Sequence, residues 1–300
     1  MAKEKSKRNK TIVLTEDEKI KFEKDIRTNY KMNSVINNDA FNVISDIPDN
    51  SVDLLFTDPP YNLSKMYGST KFNATKLQEY LDWSEKWIKL ALPKLKNDAS
   101  IYICNDWRAS ALQLVLDKYF YIQNRITFER DKGRGSKTNW KNSSEDIWFC
   151  TMSKDKYYFN AEVVKVKKRI IAPYVDKEGK PKDWEETKDG KFRMTSPSNL
   201  WTDITIPFWS MSENTEHSTQ KPEKLAAKII LASSEPNDVV LDLFGGSGTA
   251  AVAAKKLGRR YILIEKEKEY SLVSAKRISE CKEGDRIQGY EKGIFLSRNI

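Results

Sequence analysis

The sequence predicts an α/β protein whose parallel sheet is interrupted by an inserted lobe. From about 33 to 127, short apolar runs alternate with helical periodicity, the signature of strand–helix units. That alternation breaks down from about 128 to 215 and returns from about 217. A chain of 300 residues has room for about two domains, or for one large α/β domain with an insertion.

Residues 1–30 read as a charged tail and a surface helix, with Thr15 and Glu18 spaced as a capping box. The run 51–57 (SVDLLFT) predicts a buried strand ending at Asp58. Apolar residues at 77, 80, 81, 87, 88, 91 and 92 predict an amphipathic helix over 77–95. Strands at 100–104 and 126–128, a helix over 109–116 and a strand at 146–152 follow. Pro222 can open a helix running to about 233, since proline is tolerated in the first helical turn. A strand at 239–243, a helix over 249–257 and a strand at 261–264, closed by Glu265, complete the pattern. The chain thus divides into a tail (1–30), a first half of the sheet (31–159), the lobe (160–215) and a second half (216–300).

Composition narrows the function. The 52 Lys and Arg outnumber the 43 Asp and Glu, and a net charge of +9 points to a polyanionic partner. Aromatic residues make up 11% of the chain, enough for a packed core. No run of 18 apolar residues is present, and no apolar stretch follows the basic start, so neither a membrane span nor a secretory signal is expected. Three scattered cysteines and one histidine argue against a disulfide framework and a metal centre. A reducing, cytoplasmic compartment is expected.

Two motifs carry chemistry. Phe244-Gly245-Gly246-Ser247-Gly248 lies between a strand and an Ala-rich helix starting at Thr249. Glycines there allow a sharp turn and close approach of a ligand to main-chain N–H groups. Glu265 follows about 20 residues later, where a carboxylate can accept both hydroxyls of a ribose. The third glycine of the dinucleotide fingerprint and the Gly-Lys-Ser/Thr of a P-loop are both missing, so a nucleoside with little phosphate fits better. The second motif is Thr57-Asp58-Pro59-Pro60-Tyr61-Asn62. Pro59 and Pro60 fix φ and remove two N–H donors, leaving a rigid turn rich in acceptors. With Tyr61 available for stacking, such a turn suits a planar ring bearing an exocyclic amine.

Together, Asp-Pro-Pro-Tyr and Phe-x-Gly-x-Gly resemble the S-adenosylmethionine-dependent amino-methyltransferases of DNA. His217-Ser218-Thr219-Gln220-Lys221-Pro222 is similar to that family's His-Pro-Thr-Gln-Lys-Pro stretch, with Ser218 in place of its first proline. Asn38-Asp39-Ala40 resembles its Gly-Asp segment beside the cofactor's adenine. The catalytic motif precedes the glycine loop, an order like that of the permuted β group found in bacterial restriction–modification systems. The resemblance covers roughly 33–275.

The resemblance implies a Rossmann-like methyltransferase sheet with a target-recognition lobe, and S-adenosyl-L-methionine as methyl donor without a metal. Asp58 and the Pro59 carbonyl would accept the two N–H bonds of adenine N6, and Tyr61 would stack on the flipped base. The implied cofactor site holds Asp39, Ala40, Asp58, Thr219, Gln220 and Lys221. It continues through Asp242, Phe244, Gly245, Gly246, Ser247, Gly248, Thr249 and Glu265. Lys221 would meet the cofactor's carboxylate. Cytosine carbon-5 chemistry needs a cysteine beside the turn, and none is there; Cys104 reads as a buried strand residue. Asp58 favours adenine. The alternatives are a cytosine-N4 or RNA methyltransferase, or an inactive DNA-binding protein.

Double-stranded DNA is the expected partner. The resemblance adds a cognate restriction endonuclease, a homodimer and a bacterial, nucleoid-associated location. The segment 130–141 reads as a mobile cationic loop carrying Arg130, Lys132, Arg134, Lys137 and Lys141. In the lobe, Lys165, Lys167, Lys168, Arg169, Lys191 and Arg193 are candidate DNA contacts. Trp201 and Trp209 read as local core.

Overall fold

The computed structural model describes residues 8–130, 137–171 and 173–298. Its central sheet has the spatial order Ile26–Arg27, Ser34–Asn37, Arg260–Glu265, Val239–Asp242, Val52–Thr57, Leu95–Asn105, Ser144–Thr151, Tyr121–Glu129, Leu200–Trp201. The strands from Ile26–Arg27 to Leu95–Asn105 in that order run parallel. Ser144–Thr151 is antiparallel to both of its neighbours.

Apart from the partly buried Asp53, Val52–Thr57 is buried throughout because both of its faces are covered. Leu54 and Phe56 join a core shared with the helices Glu223–Ser233, Thr249–Lys256 and Lys268–Ser279. Leu55 points the other way, toward Tyr80, Trp87 and Ile88 of the helix Leu77–Ala91. Val240 pairs with Leu54 and Leu241 with Leu55, joining strands far apart in sequence. Because the two are parallel, their carboxyl ends open on the same edge. That edge is where α/β sheets bind ligands.

Several local expectations are refined. The strand read at 100–104 extends over Leu95–Asn105. The helix read over 109–116 is a 3-10 segment, Trp107–Leu112, followed by a short α-helix, Gln113–Leu116. The helix Lys268–Ser279 lies outside the elements expected from sequence, although Leu272, Ala275 and Ile278 form its buried stripe. The N-terminal helix Glu16–Glu23 has the capping box in full but is not merely a surface helix. Phe22 is buried in the core, and Lys276 pairs with Glu18. Upstream, Lys10 N–H donates to the Trp209 carbonyl at 2.6 Å, so part of the tail is docked.

The lobe contains a sheet ordered Glu185–Thr187, Gly190–Thr195, Val166–Arg169, Ile294–Leu296, Tyr290–Glu291. Its last two strands come from the far end of the chain, outside the span 160–215. Phe295 is fully buried among Val164, Val166 and Ala227, which fastens the lobe to the helix Glu223–Ser233. Leu200–Trp201 leaves the lobe segment to join the edge of the central sheet. Trp201 is core, as read from sequence; Trp209 is 50% exposed and is not.

Candidate active site

A cavity of about 220 Å³ opens at the carboxyl edge, between the Asp58 turn and the glycine loop. The loop's shape requires glycine. A Cβ on Gly245 would stand 2.5 Å from Leu263 Cδ1. Gly248 has φ +81° where it caps the helix Thr249–Lys256, in the left-handed region that side chains disfavour. The Arg277 guanidinium donates to the Ser247 carbonyl at 2.6 Å, and the Thr249 hydroxyl donates to the Lys221 carbonyl at 2.9 Å. The first bond ties the loop to the helix Lys268–Ser279 and the second ties it to the Thr219–Lys221 segment.

Two carboxyl groups lie beside the loop. Glu265 accepts from the N–H groups of Gly246 and Glu267, each at 2.7 Å. Asp242 accepts from the Thr57 hydroxyl at 2.9 Å and the Phe244 N–H at 3.1 Å. Burial pushes both up to about 7, against the pull of those N–H bonds. An aromatic wall faces them: the Trp83 ring centroid lies 5.6 Å from Phe72, 5.7 Å from Phe244 and 6.3 Å from Phe41. His217 packs edge-on against Tyr270, and burial and Lys221 hold its imidazole down at about 3, hence neutral.

At the Asp58–Tyr61 turn, Asp58 Oδ1 accepts from the Tyr61 hydroxyl at 2.9 Å. Asp58 Oδ2 lies 2.6 Å from Lys221 Nζ. Burial opposes the Lys221 charge, but Asp58 and Glu145 outweigh it and hold the ammonium above its ordinary value. Lys221 therefore faces the Asp58 carboxylate. It also lines the cavity in which the resemblance implies a cofactor carboxylate. Tyr61 is only 8% exposed, lines the cavity and lies with its ring centroid 5.4 Å from Lys221 Nζ.

The DNA methylase family, N6_N4_Mtase, matches residues 52–276. The chain belongs to that family. The DNA adenine methyltransferase YhdJ of Escherichia coli is 33% identical over 82% of this chain and 82% of its own length. The type II methyltransferase M1.MboII of Moraxella bovis is 34% identical over 80% of this chain and 94% of its own. In structure, the M1.HpyAVI–SAM complex aligns with a TM-score of 0.56 and 26% identity. That alignment covers 81% of this chain and 98% of the other.

In this methylase, the cavity gathers nearly every residue of the turn and of the implied cofactor site. Asp39 and Ala40 line it, as do Asp58 to Tyr61, Thr219 to Lys221, Asp242, Phe244 to Ser247, Thr249 and Glu265. Gly248 stands behind the wall as a helix cap, outside the lining. Gln220 turns its amide to the Thr215 N–H and the Glu213 carbonyl, so its side chain clamps its own loop. Sequence reading missed Glu145, Arg277 and the aromatic wall. The wall had a signal, since Tyr80, Trp83 and Trp87 recur at helical spacing.

The basic candidates are more dispersed. Arg130 Nε lies 3.0 Å from Glu145. Lys132 and Arg134 lie outside the described residues, while Lys137 and Lys141 are exposed. In the lobe, Arg193 pairs with Lys168, and Phe192 with Arg169. That register places Lys168 and Arg193 on one face and Arg169 on the other. Lys165 is paired with Glu162, Lys167 lies over Phe192, and Lys191 lies over Trp184. Among the described residues, no helix is long and apolar enough to cross a membrane, and no group of His, Cys, Asp or Glu could hold a metal ion.

Proposed function

We propose that this DNA methylase moves a methyl group from S-adenosylmethionine to N6 of adenine in double-stranded DNA. One observation carries the reading: the acceptor-rich Asp58 turn and the glycine loop open into one cavity. The residues fit the cofactor. Phe41, Trp83 and Phe244 offer an apolar slot for its adenine, and Glu265 offers an acceptor for its ribose. Bound there, S-adenosylmethionine supplies the electrophilic sulfonium methyl and leaves as S-adenosylhomocysteine.

The chain's own part is to position and polarise. An exocyclic amine is a weak nucleophile because its lone pair is delocalised into the ring. Asp58 accepts one N–H and the Pro59 carbonyl the other, which favours a pyramidal nitrogen with a localised lone pair. Pro59 and Pro60 keep those acceptors fixed, so little reorganisation is needed at the moment of transfer. A cysteine route is unsupported: Cys104 is fully buried, and burial and then Asp58 push its thiol well above the ordinary value. The similarity to YhdJ, named an adenine methyltransferase, favours adenine over cytosine. Nucleoside analysis of DNA and RNA from expressing cells tests this. N6-methyladenine in DNA is the expected product; N4-methylcytosine, or methylation of RNA alone, would overturn it. A cytoplasmic location, a cognate endonuclease and a homodimer belong to the same proposal, and light scattering tests the last.

Cofactor affinity should depend on pH through Glu265. Its carboxyl titrates at about 7, and ribose hydroxyls donate to the ionised form. A raised carboxyl pKa means that its contribution to folding is full at low pH and is lost as pH rises through about 7. For cofactor binding the sign is opposite. Affinity should rise from pH 6 to pH 8, by up to about tenfold for each unit below 7. Glu265→Gln should weaken binding about tenfold at pH 8 and flatten the profile. Calorimetry across that range decides, and a flat wild-type profile would remove Glu265 from the role.

Exposed Lys137 and Lys141 are proposed phosphate contacts. Replacing both by alanine should flatten the slope of log affinity against log salt by up to roughly 2, on cognate and random duplexes alike. An unchanged slope would place the basic surplus elsewhere.

A further inference from the structure

Glu145 stands at the start of the strand Ser144–Thr151, the antiparallel member beside Leu95–Asn105. Antiparallel direction brings its first residues to the carboxyl edge, beside the Asp58 turn. The Glu145 side chain is 4% exposed, and its carboxylate meets three polar groups. Oε1 lies 3.0 Å from Arg130 Nε, and Oε2 lies 3.2 Å from Lys221 Nζ and 3.3 Å from the Tyr61 hydroxyl.

We propose that Glu145 is a positioning residue for methyl transfer: it shares the charge of Lys221 and takes up that of Arg130, so that Asp58 keeps negative charge with which to attract the target amine. The charges around Asp58 require such a group. Lys221 touches Asp58 at 2.6 Å with its side chain only 7% exposed. Lys65 is also near; burial and then Arg130 lower its amine below the ordinary value, while Asp58 and Glu145 pull it up. Without Glu145, Asp58 would be the one carboxylate in contact with Lys221, with Arg130 and Lys65 close by. As the N–CH3 bond forms and the S–CH3 bond of the sulfonium breaks, the amine nitrogen gains positive charge, which it loses when one N–H proton passes to Asp58 and on to water. A cation paired with Asp58 alone would cancel the attraction that stabilises that charge. Glu145 divides the pairing, and its bonds to Tyr61 and Lys221 hold both against the turn.

The inference rests on Asp58 as acceptor of the target amine, but not on which base carries it. Two variants separate charge from shape. Glu145→Gln keeps the shape and loses the charge; Glu145→Asp keeps the charge and shortens the side chain. Single-turnover transfer, KM for duplex DNA and Kd for cofactor are measured on both, with thermal unfolding as the check on folding. The rate should fall about 100-fold in Glu145→Gln and about tenfold or less in Glu145→Asp. KM and Kd should stay within about threefold of wild type. A Gln variant as fast as the Asp variant, or a loss confined to KM or Kd, would overturn the proposal. Wild-type protein making N4-methylcytosine would overturn the choice of adenine and leave this inference standing.

Discussion

Asp58→Ala should lower single-turnover methyl transfer about 1,000-fold, with cofactor affinity changed by less than about threefold. The carboxylate is the group of the turn that can be both negative and close to the amine; the Pro59 carbonyl carries only a partial charge. Cofactor affinity should survive because the glycine loop is held independently, by Glu265 at Gly246 and by Arg277 at Ser247. Folding should survive as well, since Lys221 keeps Glu145 as a partner at 3.2 Å. Rapid quench with labelled cofactor, together with calorimetry, checks both halves. A rate above about a tenth of wild type would remove Asp58 from the acceptor role.

Lys221→Met should unfold the protein more readily than any other substitution at the site. The ammonium is 7% exposed and lies between Asp58 and Glu145. Removing one partner of a buried ionic cluster costs about 3–5 kcal/mol where the remaining charge stays buried. Here two carboxylates would face each other, with Arg130 paired to Glu145. Thermal unfolding of both proteins is the measurement. A loss of less than about 1 kcal/mol would mean that Lys221 is not needed to hold the two carboxylates together. Binding of the cofactor by Lys221→Met should change little, which separates this placement from the cofactor-carboxylate role expected from sequence.

What could be read in the sequence is what lies within one strand and its following turn. Asp58 follows Val52–Thr57 directly, and Gly245 follows Val239–Asp242 within a few residues, so one short string encodes both the strand and the group at its end. Their meeting was legible only because both strands are parallel runs of one sheet. Glu145 was not legible, because its value depends on the direction of its strand. A reversal of Ser144–Thr151 would carry it to the opposite edge. The same holds for the lobe: nothing local in Ile294–Leu296 says that it will pair with Val166–Arg169. Lys221 lines the cavity expected for it, but its contacts with Asp58 and Glu145 could not be read from sequence. Its side chain is long enough to reach either wall, and only the buried carboxylates decide between them.

The pairing of Phe295 with Val166 sets an order of events during synthesis. Val166 emerges from the ribosome well before its partner exists. At roughly 5–20 residues per second, the interval is on the order of ten seconds. Throughout that time Val164 and Val166 lack the ring that covers them, while much of the central sheet can already assemble. The nascent chain is thus exposed to wrong pairing at one identifiable place, the open edge of Val166–Arg169. Lys168 and Arg169 there are charges of the kind that discourage edge-to-edge association. Basic side chains read as a surface for nucleic acid would also serve as guards for an edge that must wait.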